Sequence, residues 1–131
     1  MYNALILIDP ETQTTLAGLK NKIRQVFTGS LIKRVTVEIA DDELRLSWPN
    51  FTFRVRYVDG AHVLAESGEI AEKFAKKHSA RDRIGQCRAR FEVSSDEDPS
   101  MSHFNEFIFI IESAERLGRV YAFDPDAGEF M

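Results

Sequence analysis

The sequence contains little that could form a disulfide, a membrane span or an export signal. Its only cysteine is Cys87, so no disulfide can form within the chain. Strictly apolar runs such as 107–111 stop after five residues, far short of the about 20 that a transmembrane helix needs. The first residues lack the basic segment and the longer apolar stretch of a secretory signal. A lone thiol and no export signal predict a cytoplasmic protein that does not bind membranes.

Apolar residues are nevertheless abundant enough for a folded core. Hydrophobic residues make up 44% of the 131 residues and charged residues 29%, and there are ten phenylalanines. This composition excludes an intrinsically disordered chain. No internal repeat, low-complexity tract or linker interrupts the sequence, and its length suits one domain. We therefore expect residues 1–131 to form a single domain.

Negative charge is concentrated in the last third of the chain. Residues 1–93 carry 15 basic and 12 acidic side chains, whereas residues 94–131 carry two basic and nine acidic ones. The isoelectric point of about 5.4 argues against a dedicated nucleic-acid-binding protein, whose domain is usually strongly basic. An acidic segment of this kind is suited to bind a basic protein.

Alternating apolar residues predict a three-stranded meander over about residues 31–58. Apolar and polar side chains alternate over residues 35–39, which is the period of a strand with one buried face. Two-residue turns at 41–42 and 49–50 keep the apolar side chains of all three strands on the same face. A slip by one residue would turn that whole set toward water, so the register is strongly determined. The predicted cross-strand pairs are Val35–Trp48, Val37–Leu46, Ile39–Leu44, Leu44–Val55, Leu46–Phe53 and Trp48–Phe51.

Segments with helical periodicity lie between the other predicted strands. Asp9-Pro10 and Asp98-Pro99 each match an N-cap followed by a first-turn proline, so they predict helix starts before the apolar stripes of 16–27 and 104–117. The second stripe begins at Phe104, which this spacing predicts to be buried. Gly29 is expected to end the first of these helices. A further helix is predicted over about 67–77, between the meander and a strand at 87–93. The segment 106–111 is apolar on nearly every side, which leaves helix and strand open there.

The predicted fold class follows from this order of elements. Short strands at 4–8 and 120–123 complete the order βαβββαβαβ. This order predicts an α+β fold with a single mixed or antiparallel sheet, a central three-stranded meander and three helices packed on one face of the sheet. The order of the strands within the sheet stays open.

The polar face of the meander carries several arginines. Arg45, Arg54 and Arg56 share this face with glutamates, and the predicted register places Glu38 opposite Arg45 and Glu43 opposite Arg56. One interpretation is a solvated outer face whose charges neutralise each other. A second is a binding site for phosphate or carboxylate groups, and a third is a homodimer contact through this face or through an edge strand.

No catalytic constellation is recognised in the sequence. One cysteine and three scattered histidines do not supply the closely spaced ligands of a zinc site. Cys87 is predicted as a small core residue inside a strand, because a nucleophilic thiol needs a nearby base and an electropositive setting. The glycines are isolated, so neither a P-loop nor a dinucleotide fingerprint occurs. The sequence predicts a protein that is not an enzyme and binds neither a cofactor nor a metal.

A small-molecule or metal-dependent site remains as an alternative. His103 and Glu106 are three residues apart on a predicted helix, just after the acidic loop 94–98. Carboxylates and imidazole are ligands of divalent cations, although three consecutive acids do not match the alternating ligands of a calcium loop.

The leading hypothesis is a protein-binding surface formed by carboxylates of the last third of the chain. A field of one sign attracts a cationic surface and speeds association with it. We expect a basic protein partner and a chain that is a monomer or a homodimer. The candidate binding residues are Asp96, Glu97, Asp98, Glu106, Asp124, Asp126 and Glu129.

Two segments of the last third resemble a known class of small bacterial proteins. Met-Ser-His-Phe-Asn-Glu-Phe at 101–107 and Phe-Asp-Pro-Asp-Ala-Gly-Glu-Phe at 123–130 resemble segments of α+β immunity proteins. Proteins of that class neutralise basic nuclease toxins. The resemblance, which covers mainly residues 101–130, implies a stoichiometric inhibitor without catalytic activity and assigns no individual binding residue.

Overall fold

A seven-stranded antiparallel sheet forms the centre of the structure, a computed structural model that describes residues 1–27 and 35–131. Over these residues the strands are β1 (Asn3–Ile8), β2 (Thr36–Ala40), β3 (Glu43–Trp48), β4 (Phe51–Asp59), β5 (Ala89–Ser95), β6 (Val120–Asp124) and β7 (Glu129–Phe130). The helices in the same ranges are α1 (Leu16–Val26), α2 (Ala61–Phe74), α3 (Arg81–Gly85) and α4 (Phe104–Glu115). None of these helices has the length and apolar character needed to cross a membrane.

The strands lie in the order β2-β3-β4-β5-β1-β6-β7, and all neighbours are antiparallel. The α+β class and the antiparallel sheet are therefore confirmed. The predicted order βαβββαβαβ is corrected, because it lacks α3 and β7. These elements have five and two residues, too few to show a periodic pattern. The meander of β2, β3 and β4 forms one edge of the sheet and not its centre. The other four strands, with β1 between β5 and β6, all lie beyond β4.

The register of the meander agrees with the prediction. The observed pairs include Val37–Leu46, Ile39–Leu44, Leu44–Val55, Leu46–Phe53 and Trp48–Phe51. The predicted pair Val35–Trp48 is not part of the ladder, because β2 begins at Thr36. The turn at 41–42 has positive φ at both positions, 55° and 59°, a conformation that aspartate tolerates better than most residues. Local pattern and turn length are therefore sufficient to determine this part of the sheet. The predicted strand residues 31–34 and the predicted helix end at Gly29 lie outside the described residues.

Helices cover both faces of the sheet, which corrects the prediction of three helices on one face. α1 and α4 pack over the face that includes Ile6 and Phe53. α2 and α3 pack on the opposite face, over Leu7 and Tyr121. The explanation lies in the uninterrupted apolar run of β1, because a strand with apolar residues at successive positions buries both of its faces.

The Asp-Pro pairs lie outside the helices that they are predicted to start. α1 begins at Leu16, where the hydroxyl of Thr15 accepts a hydrogen bond from the amide of Gly18 at 3.0 Å. α4 begins at Phe104 and includes residues 106–111, so that segment is helical. The apolar spacing therefore locates the body of each helix, whereas the Asp-Pro pattern does not locate its first turn.

Asp9 forms a buried ion pair instead of a helix cap. Its side chain is 1% exposed and accepts hydrogen bonds from Nε of Arg83 at 2.7 Å and from the hydroxyl of Tyr121 at 2.6 Å. The bond from Arg83 outweighs the cost of burial and holds the pKa of Asp9 well below its ordinary value. These contacts join the end of β1 to α3 and β6.

Cys87 is fully buried, as expected for a core residue, but it precedes β5 instead of lying inside a strand. Burial raises the pKa of its thiol to about 12, so the thiol stays protonated at neutral pH. The sulfur lies 3.4 Å from the carbonyl oxygen of Arg83. Cys87 therefore acts as a packing group beneath α3.

Replacing Arg83 by methionine should leave the buried carboxylate of Asp9 without its cation. We expect the melting temperature at pH 7 to fall by roughly 5–10 °C, because an unpaired buried charge is strongly destabilising. The loss should be smaller at pH 3. A carboxyl group with a lowered pKa stabilises the native state above its unfolded pKa of about 4, and this contribution disappears as the pH falls. Thermal denaturation at both pH values measures the effect.

The matched control is Arg81→Met, which removes an exposed arginine from the same helix. Equal losses of melting temperature for the two variants, or a loss for Arg83→Met that does not depend on pH, would contradict the role assigned to Asp9.

Candidate functional site

The carboxylates predicted to bind a partner lie at one end of the sheet. β1 begins at this end, whereas β5 and β6 are antiparallel to β1 and finish there. The segments that follow β5 and β6 therefore flank the first residues of β1. The loop after β5 leads into the start of α4 at the same end. We call the surface formed by Asp96, Glu97, Asp98, Glu106, Asp124, Asp126 and Glu129 the acidic end.

Two hydrogen bonds show how closely the acidic segments approach each other. The hydroxyl of Tyr2 donates to Asp98 at 2.7 Å, and the side-chain amide of Asn3 donates to Asp126 at 3.2 Å. Burial and the neighbouring carboxylate of Asp98 raise the pKa of Tyr2 to about 12, so its hydroxyl remains a donor at neutral pH. Tyr2 and Asn3, which are consecutive in the chain, thus bond to the loop after β5 and to the hairpin formed by β6 and β7.

Asp98 has a structural role within the acidic end. Its carboxylate accepts hydrogen bonds from the backbone amides of Ser102 at 3.1 Å and His103 at 2.8 Å. Burial opposes the ionisation of Asp98, but these bonds and the bond from Tyr2 outweigh it and lower the pKa of Asp98. Asp98 therefore closes the turn that precedes α4.

Asp96 and Asp124 are also engaged in the fold. Asp96 forms an ion pair with Arg54 at 2.9 Å and accepts a hydrogen bond from the amide of Thr52 at 3.0 Å. Asp124 accepts hydrogen bonds from the amides of residues 126 and 127 at 2.9 and 3.1 Å, which stabilise the turn between β6 and β7. Both carboxylates carry negative charge, but their positions are set by these partners.

The other members of the acidic end differ in accessibility. Glu97, Asp126 and Glu129 are exposed and form no ion pair with any residue that the structure describes. Glu106 is half-buried, and its carboxylate lies 3.7 Å from Nδ1 of His103. A cationic side chain of another protein can therefore approach the first three directly.

Two large apolar side chains project from the acidic end. Met101 is 60% exposed and Phe104 is 41% exposed, so the expectation that Phe104 is buried within the stripe of α4 is wrong. The ring of Phe104 lies beside Tyr2, with a centroid distance of 6.3 Å. Met101 has φ of 56°, a left-handed conformation that costs a residue with a Cβ roughly 1–2 kcal/mol. An apolar residue between two serines is the sequence signal of this exposed position, and periodicity alone does not detect it.

His103 packs as an aromatic residue. Its ring stacks on Phe51 at 4.1 Å with an interplanar angle of 8°, and it lies 4.9 Å from Trp48. Within residues 1–27 and 35–131, no group of three or more His, Cys, Asp or Glu side chains could hold a metal ion. His103 and Glu106 of the alternative site are therefore close together, but no third His, Cys, Asp or Glu side chain of the described residues completes a metal-binding group with them.

The arginines on the polar face of the meander are paired with carboxylates. Glu43 accepts hydrogen bonds from Nε of Arg45 at 2.8 Å and from Nε of Arg56 at 3.2 Å. Arg54 bonds to Asp96 of the acidic end. The predicted opposition of Glu43 and Arg56 across neighbouring strands is confirmed. Because each of these guanidinium groups already faces a carboxylate, the arrangement favours a neutralised outer face over a phosphate site.

No protein-family model, curated protein or solved structure matches this chain. The fold and the site define a small α+β protein in which exposed apolar side chains and carboxylates share one end of the sheet. Its function therefore has to be inferred from the acidic end itself.

Replacing Asp98 or its neighbour Glu97 by alanine should change the free energy of unfolding by different amounts. Asp98→Ala removes an acceptor of two backbone amides and should lower the free energy of unfolding by about 1–2 kcal/mol at pH 7. Glu97→Ala, the matched control, should leave it unchanged because Glu97 has no partner in the described structure. Urea denaturation measures both variants, and equal stabilities would contradict the structural role of Asp98.

The strain at Met101 can be measured with two variants. Met101→Gly should raise the free energy of unfolding by about 0.5–1 kcal/mol, because glycine adopts positive φ freely at only a partial entropic cost. Met101→Ala removes the same side chain but keeps the strained backbone, so it should give no such gain. If urea denaturation shows the same change for both, the backbone at Met101 is not strained.

Proposed function

We propose that this chain is a protein-binding module that presents the acidic end to a basic protein partner. One observation carries the proposal: residues 96–98 and 124–129 converge at the start of β1, held by the bonds from Tyr2 to Asp98 and from Asn3 to Asp126. Acids that are distant in sequence act as one field only when the fold gathers them.

The exposed acids supply the long-range attraction of the proposed surface. Their field steers an oppositely charged protein toward the acidic end, and salt screens it over about 8 Å at physiological ionic strength. Phe74 of α2 packs on Phe123 at 5.3 Å between ring centroids, which places the end of α2 beside the hairpin. The exposed lysines there limit the negative field on that side, so the charge pattern favours one orientation of the partner. These lysines are Lys73, Lys76 and Lys77.

Met101 and Phe104 supply the short-range contact. Protein interfaces commonly have an apolar centre and a polar rim, and a few large side chains at the centre carry most of the binding energy. Here Phe104 lies beside Tyr2, whose hydroxyl bonds to Asp98, and the amide of Met101 bonds to the carbonyl oxygen of Asp98 at 3.0 Å. The partner surface that fits them has an apolar depression bordered by lysine or arginine.

The resemblance to immunity proteins gives the proposal its specific form. The two similar segments, 101–107 and 123–130, include the exposed apolar residues and the hairpin that border the acidic end. In this form the protein is a cytoplasmic stoichiometric inhibitor of a basic nuclease toxin. Such an inhibitor acts by covering its partner and needs no catalytic group of its own.

A pair of charge-reversal variants tests the proposed function. The first, Glu97→Lys/Glu129→Lys, changes exposed acids of the acidic end that hold no part of its structure. The control, Glu69→Lys/Glu72→Lys, makes the same change of charge at exposed positions of α2. Each variant and the native chain are immobilised and exposed to a lysate of the source organism at low salt. Mass spectrometry then identifies the retained proteins.

We expect at least one basic protein to be retained by the native chain and the control but not by the acidic-end variant. With that protein purified, the association rate should fall about tenfold or more in the variant at low salt and approach the native rate at high salt. Identical sets of retained proteins for all three chains, or an unchanged association rate, would contradict the proposal.

A further inference from the structure

A hydroxyl-rich cavity lies at the end of the sheet opposite the acidic end. β1 and β4 run in the same direction, because both are antiparallel to β5, and the chain leaves both strands at this opposite end. The cavity has a volume of about 620 Å³, within the range of small-molecule sites. We call it the threonine cavity, and its polar lining consists of Thr12, Gln13, Thr14, Thr15 and Tyr57.

The threonine cavity is electrically neutral. None of the described residues that line it has an ionised side chain at neutral pH. Burial raises the pKa of Tyr57, and the negative charge of Asp59 adds to this effect, so the hydroxyl of Tyr57 stays protonated. A charged ligand would lose hydration in the cavity without gaining an ion pair there. The lining therefore favours a neutral ligand.

The threonine hydroxyls keep hydrogen-bonding capacity of both kinds. Each hydroxyl has one donor and two acceptor positions. Thr12 donates to the carbonyl oxygen of Arg119 at 3.1 Å, which leaves its lone pairs for a ligand donor. Thr15 accepts from the amide of Gly18 at 3.0 Å, which leaves its proton for a ligand acceptor. Hydroxyl groups of a ligand, which also donate and accept, match this lining.

The rest of the lining is apolar, and a glycine leaves part of the space open. Leu117 and the ring of Tyr57, which is 37% exposed, both belong to the lining. A Cβ at Gly18 would lie 3.2 Å from the hydroxyl oxygen of Thr14 and 3.7 Å from Leu117, so it would occupy space between them. An aromatic ring and an aliphatic side chain together offer contacts to the C–H groups of a ligand.

We propose that the threonine cavity binds a neutral sugar in its pyranose form. A pyranose has hydroxyls around its rim and C–H groups on its ring faces, so it can make both kinds of contact. The ring face packs on Tyr57 and Leu117. The sugar hydroxyls bond to Thr12, Thr14 and Thr15. This inference uses no residue of the acidic end and does not depend on the proposed function.

Methyl glycosides titrated into the ¹⁵N-labelled full chain test this inference directly. The probes are the α and β methyl pyranosides of glucose, galactose and mannose at millimolar concentrations. Sorbitol, which has hydroxyls but no ring, and cyclohexanol, which has a ring but a single hydroxyl, serve as comparison compounds. We expect at least one glycoside to cause saturable shifts at the amides of Thr14, Thr15 and Gly18, with weaker binding of both comparison compounds.

No saturable shift with any of the six glycosides would overturn the inference. An affinity of sorbitol or cyclohexanol equal to that of the best glycoside would overturn it as well, because the cavity would then not require both a ring face and several hydroxyls. Each result is independent of whether the acidic end binds a basic protein.

Variants of the lining complete the test. Gly18→Ala should weaken binding of the best glycoside about fivefold or more, because the added methyl group occupies space beside Thr14 and Leu117. Gly68→Ala, the matched control, adds the same group to α2, where no atom outside the local backbone lies within 4 Å, and should leave binding unchanged. Tyr57→Leu removes the ring and should also weaken binding about fivefold or more. The ¹⁵N spectrum of each free variant shows whether it is folded, and an unchanged dissociation constant in a folded Gly18→Ala or Tyr57→Leu would overturn the inference.

Discussion

The position of β1 between β5 and β6 determines how the rest of the molecule is arranged. Both neighbours are antiparallel to β1, so the segments that follow them return to the residues where β1 begins. The same strand is apolar on both faces, and it therefore requires helices on both sides of the sheet. One strand thus accounts both for the packing of α1 to α4 and for the assembly of the acidic end.

The carboxylates of this protein fall into two physical classes. Carboxylates of the first class are bonded to other groups of the fold. Asp9 is the extreme case, since it is buried and bonded to Arg83 and Tyr121. Asp98 belongs to the same class, because it holds backbone amides and its loss would be felt in folding. Carboxylates of the second class, such as Glu97, can exchange water for a partner's cation without cost to the fold. The negative field comes from both classes, but only the second is free to make new contacts.

The parts of the fold that follow from local pattern could be predicted from the sequence, and the parts that depend on distant contacts could not. The register of β2, β3 and β4 is determined by alternation and by two-residue turns. The Asp-Pro pairs mislead because a helix cap and a carboxylate bonded elsewhere share the same local sequence, and the partner of Asp9 lies 74 residues away. Charge alone identified the acids of the candidate site, but tertiary contacts decide which are free. The helical spacing of 104–117 predicts a buried Phe104, but spacing alone does not show where a helix leaves its neighbours.

A single negative field is expected wherever the fold brings the acids of residues 96–98 and 124–129 together. The most direct measurement compares the paramagnetic relaxation that a cationic and an anionic nitroxide of similar size cause at each backbone amide at low salt. We expect the cationic probe to be enriched over the anionic one at both Glu97 and Glu129, with the reverse at Lys76 and Lys77. Equal effects of the two probes at Glu97 and Glu129, or enrichment at only one of them, would contradict it.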